Sequence, residues 1–91
     1  MTLHITDHFM DQADDRLDSY EELASYTYTQ LAQGLTTSTT TGTLFNGDTY
    51  KVVTLAGITY GIGYTVDGDV MIAKTLLSPY MVEENEKRRM H

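Results

Sequence analysis

With 91 residues, 41% of them hydrophobic, the chain holds enough apolar material for one small core and too little for two, so residues 1–91 read as a single domain. Thirteen acids against six Lys and Arg give a net charge of −7, which sets the molecule as a whole against nucleic acid and anionic lipid as direct partners. No apolar run approaches the ~20 residues of a membrane span, the opening "MTLHITDHF" has neither the basic start nor the apolar stretch of a signal peptide, and the lack of cysteine removes disulfides and thiolate metal sites. A cytoplasmic protein without a cofactor is the expectation.

"LHIT", residues 3 to 6, alternates and suits a short first strand, after which Thr6 or Asp7 offers an N-cap. A helical region follows to Gly34. Met10, Ala13, Leu17, Tyr20 and Ala24 recur in it at three- and four-residue spacing, an apolar stripe fit to cover a sheet. "SYEE" at 19 to 22 has the capping-box pattern and starts a second helix or a bend, with Gly34 as the stop. The expectation is a helical hairpin.

From Leu35 the composition changes. "LTTSTTTGTLF" is rich in β-branched residues but poor in apolar ones, which fits an edge strand or a loop. "NGD" at 46–48, "AG" at 56–57 and "DGD" at 67–69 are turn signals, and they separate runs 49–55, 58–65 and 70–77. "SPYMVEENEKRRMH" places Ser78 as N-cap and Pro79 at the first helical position, with acids early and bases late. The expected fold is therefore α+β: an N-terminal helical hairpin packed on a three- to four-stranded antiparallel β-meander, closed by a short C-terminal helix.

Within the run "ITYGIGYT", a two-residue period puts Ile58, Tyr60, Ile62 and Tyr64 on one face and Thr59, Gly61, Gly63 and Thr65 on the other. If residues 7 to 33 cover the bulky face, the bare one turns away from them. Gly61 and Gly63 then either relieve crowding in a twisted sheet or mark a contact surface for another chain, which leaves a homodimer or an assembly subunit open.

Chemistry-bearing residues are sparse. His4 and His8 are four apart, but a strand-to-helix change between them spoils the helical two-histidine metal geometry, and no metal site is expected. None of the serines sits in a nucleophile-elbow pattern. The carboxylates are more informative. Asp7, Asp11, Asp14 and Asp18 are spaced i, i+4, i+7 and i+11, one stripe of a helix, and Asp15, Glu21 and Glu22 add to the field against Arg16 alone. At 1.5 Å rise per residue the row's charges stand roughly 5 to 6 Å apart, close to the spacing of phosphates along a nucleic-acid strand. Like charges at i, i+4 destabilise a helix by a few tenths of a kcal/mol, so local stability does not choose this pattern. It is a solvated face, or an acidic surface that docks on a basic partner protein.

The "H-x7-R" of the first helix (His8, Arg16), the helical hairpin ending "LAQG" and the meander closing in "VMIAKTLLS" together resemble the small RelE/BrnT-like toxin domains. The resemblance implies their fold and, with His8, Arg16 and Lys74 as the residues to suspect, a messenger-RNA endonuclease. Members of that family are basic, whereas here Lys51 and Lys74 are the bases on the expected strands. Two functional classes follow: a non-enzymatic acidic binder that occupies a basic, nucleic-acid-binding surface of another protein, as small phage-encoded inhibitors of bacterial defence or host enzymes do, or a degenerate ribonuclease of the RelE/BrnT kind.

Overall fold

A computed structural model describes residues 2–44 and 46–89. Its framework is a five-stranded mixed sheet in the order β1-β5-β4-β3-β2, built from β1 (Thr2–Ile5), β2 (Thr41–Thr43), β3 (Thr49–Leu55), β4 (Ile58–Asp67) and β5 (Val70–Leu77). The expectation of a three- to four-stranded antiparallel meander is overturned by β1, which adds to the edge of β5 in parallel, Thr2 opposite Val70 through Ile5 opposite Ala73. The pairing joins segments far apart in the chain, and nothing local in "LHIT" encodes it.

The turns follow residue chemistry. Leu55 and Ile58 close a two-residue loop in which Ala56 (φ 53°) and Gly57 (φ 80°) are both left-handed, the primed turn whose twist matches its strands. The alanine there carries a steric cost that glycine avoids. Between Asp67 and Val70 only the first central residue, Gly68, has positive φ, at 64°.

The helical hairpin is also corrected. One regular helix, α1 (Asp7–Arg16), is capped by the Thr6 side chain and ends at Leu17. "SYEE" then makes only a 3-10 turn over Glu21–Leu23 with no side-chain cap, and the capping box is formed later, by Thr27 and Gln30 at the start of α2 (Tyr28–Ala32). Gly34 does not stop a helix. It opens α3 (Gly34–Thr37), where a β-carbon would overlap both γ-methyls of Val53 on the sheet beneath. Close approach is what glycine permits there.

Helices α1 to α3 cover one sheet face over a core of Phe9, Ala13, Leu17, Leu31, Leu35, Tyr60, Ile62 and Leu76, among others. Phe9, not Met10, is the buried member of the first turn, because the packed stripe of α1 runs Phe9, Ala13, Leu17. Tyr60 is wholly buried and donates its hydroxyl to the Leu31 carbonyl at 2.5 Å; burial holds its phenol far above the usual tyrosine range, so the ring stays neutral and the hydroxyl remains a donor.

α4 (Pro79–Arg89) lies against the opposite face, its first turn capped by the Ser78 hydroxyl, which accepts from the Met81 amide at 3.2 Å. Beneath it sits the answer to the bare face of β4. Tyr50, fully buried, pairs with Gly42 on β2 and with Gly63 on β4, and its ring fills the space that side chains at Gly42 and Gly61 would need. Val82 and Leu77 complete the cover over Gly61. Two glycine-bearing strands thus accommodate one large ring, and the chain's own C-terminal helix seals it.

Candidate functional site

β1 covers β5 only as far as Ala73, which leaves the backbone of Leu76 on an open sheet edge. Unpaired edge groups invite other strands. Here α1 closes the edge: Gln12 Oε1 accepts from the Leu76 amide at 2.7 Å and from the Thr75 hydroxyl, while the Arg16 guanidinium donates to the Leu76 carbonyl. His8, Gln12 and Arg16 are spaced i, i+4 and i+8, so one stripe of α1 follows the strand it protects.

The same region contains an irregularity. Gly63 pairs with Thr75 and Tyr64 with Ala73, so Lys74 is an extra residue in β5. Bulges of this kind turn a side chain away from its normal alternation. Lys74 and its neighbour Thr75 both line one pocket of about 330 Å³, together with His8 and Arg16 from α1, Gly63 of β4, and Leu77. Met81 of α4 and Leu44, Asn46 and Asp48 from the β2–β3 loop contribute the opposite wall. In that loop Asn46 donates to the Asp48 carboxylate at 3.1 Å and accepts from the Asp48 amide at 3.0 Å. The suspected residues His8, Arg16 and Lys74, far apart in the chain, are therefore brought to one concavity. Lys51 is not among them: its ammonium donates to the Leu35 carbonyl at 2.9 Å and stands 5.7 Å from the Tyr64 ring centre.

The acidic residues form a separate surface. Asp7, Asp11, Asp14, Asp15, Asp18, Glu21 and Glu22 are all exposed. They do not make one helical row, since α1 ends at Arg16 and Asp18 stands in the turn beyond it, where the regular spacing of a helix no longer applies. Asp14 accepts from the Tyr28 hydroxyl at 2.6 Å, a bond that raises the pKa of the phenol because ionising it would set two negative charges together. Among the described residues the ion pairs lie within α4, where Lys87 meets Glu83 at 3.3 Å and Glu84 at 3.7 Å. Gly61 and Gly63, the other candidate contact residues, are both buried. Gly61 is covered by α4, and Gly63 lies at the floor of the pocket, so neither presents a surface to a second chain.

No three His, Asp or Glu side chains among the described residues are grouped as metal ligands, and no helix there is long and apolar enough to cross a membrane. In the sequence, His8, Arg16 and Lys74 come together only through the RelE/BrnT-like resemblance. The bulge that lets both Lys74 and Thr75 line one pocket leaves no mark in "VMIAKTLLS". No family model, curated protein or solved structure matches the chain.

Proposed function

We propose that the protein is a small non-enzymatic binder of the cytoplasm whose acidic N-terminal surface docks on a basic surface of a partner protein, one that nucleic acid otherwise occupies, in the manner of a phage inhibitor of a bacterial defence or host enzyme. The observation that carries this reading is the exposure of all seven carboxylates between residues 7 and 22, none of them in an ion pair among the described residues. Exposed like charges held on an ordered surface are an electrostatic template, which acts on association rate and partner choice.

Replacing Asp7, Asp11, Asp14 and Asp18 together by Asn tests it. The amide oxygen that Asp14→Asn leaves in place still accepts from the Tyr28 hydroxyl. Relief of repulsion along α1 offsets the loss of Asp7 from its favourable place in the first turn, so the fold survives. Binding to a basic partner is expected to slow by about tenfold or more and to lose its steep dependence on salt. Association as fast and as tight as that of the unaltered protein would reduce the acidic surface to a solvated face.

The ribonuclease reading has one observation in its favour, the convergence of His8, Arg16 and Lys74 on one pocket. Against it stands the net charge of −7, which opposes RNA approach. Labelled RNA incubated with the protein at physiological salt is expected to stay intact and unbound; cleavage that disappears in His8→Ala would make the enzyme the better reading.

A further inference from the structure

We infer that the pocket at the β5 bulge is a binding site for a small phosphomonoester with an apolar body. In a chain with six Lys and Arg, two of them, Arg16 and Lys74, line this single concavity with His8, while Asp48 is its one carboxylate. Asp48 is held by the Asn46 amide, and Asp11 and Asp15, on the neighbouring face of α1, do not line the pocket. The two cations match a phosphomonoester dianion better than a carboxylate, and they come from separate elements, so an anion between them is held from two sides. Arg16 spends one nitrogen on the Leu76 carbonyl, which fixes the guanidinium while its remaining donors stay available. Lys74 supplies the mobile charge from an exposed position.

Part of the lining is apolar. Leu44, Leu77 and Met81 make a wall against which a ring or short aliphatic group can be removed from water, and Gly63 lets the Thr75 side chain pack close beside it in the lining. A cavity of about 330 Å³ accommodates a ligand the size of an aryl phosphate. This site is distinct from the acidic surface and requires neither docking on a partner nor RNA cleavage.

Phenyl phosphate is the probe, titrated into the ¹⁵N-labelled full chain and followed by amide chemical shifts. Shifts are expected at His8, Gly63, Lys74, Thr75 and Met81 and not around Lys87, whose ammonium is already paired on α4. Lys74→Gln, which keeps a polar side chain and removes the charge at an exposed position, is expected to weaken binding about ten- to a hundredfold, the range for loss of one charged hydrogen-bond donor. Inorganic phosphate is expected at the same residues about tenfold more weakly, and phenol not at all. The inference is overturned if Lys74→Gln binds as the unaltered protein does, if benzoate binds more tightly than phenyl phosphate, if free phosphate equals the ester, or if the shifts follow every exposed base alike. It is equally overturned if no shift appears at millimolar probe. None of these results bears on the acidic surface, whose Asn variant retains the pocket.

Discussion

Tyr50→Ala is expected to remove about 3 to 5 kcal/mol of folding stability, the range for deleting a fully buried aromatic ring. For a domain of this size that is a large share of a total on the order of 5 to 15 kcal/mol. The loss is concentrated because the ring has no substitute. Its cross-strand partners are Gly42 and Gly63, Gly61 lies diagonal to it, and none of the three can move a side chain into the space it leaves. Its hydroxyl also ties the sheet to α4, donating to Glu86 at 3.2 Å and accepting from Asn85 at 2.8 Å. The C-terminal helix should therefore come loose before the strands do. Urea unfolding measures the first effect and hydrogen exchange the second: α4 amides should exchange much faster while those of β3 to β5 keep most of their protection. An unchanged urea midpoint, or uniform loss of protection, would contradict the role assigned to this ring. Tyr50→Phe isolates the hydroxyl, and should cost about 1 kcal/mol for each hydrogen bond removed.

Gly34→Ala is expected to cost about 2 to 3 kcal/mol, at the upper end for one added methyl in a packed interior. The obstacle is Val53, a short β-branched side chain on β3 that cannot swing away as a long flexible one would. Val53→Ala alone should cost about 1.5 kcal/mol for the two methyl groups lost from a buried position. In the double variant the new methyl occupies the space just vacated, so the two costs do not add, and a coupling on the order of 1 to 2 kcal/mol is expected from the four unfolding midpoints. Strict additivity would mean that Gly34 is there for its backbone freedom and not for the approach of α3 to the sheet.

Both residues show which parts of the architecture a sequence carries. The turns at 56–57 and 67–69 are legible because left-handed backbone demands particular residues at particular places. Ser78 and Pro79 mark the start of α4 for the same local reason. The pairing of β1 with β5 is not legible, since a four-residue alternating run carries no address for its partner. Nor does "ITYGIGYT" reveal that the room beside Gly61 is taken by Tyr50 of another strand and that beside Gly63 by Thr75. The capping box at Thr27 is masked by a similar pattern at Ser19, where the chain makes only a 3-10 turn. Asp18 fits a helical row by its spacing, yet the helix stops before it. For the pocket, a family resemblance draws notice to His8, Arg16 and Lys74, but their meeting depends on a bulge that only the register of two paired strands defines.

The closure of β5 by the N-terminal segment also orders events in time. β3, β4 and β5 are joined by two-residue loops and can zip together from their turns, with little chain entropy lost at each step. β1 and α1 precede the other strands in the chain, but their pairing and edge contacts lie on residues 70 to 76, which are made after β2, β3 and β4. Until β5 is made, then, β1 has no partner, and the edge it will cover does not yet exist. The sheet is therefore complete only once β5 is made, and its last long-range step joins β1 to β5 across the intervening elements.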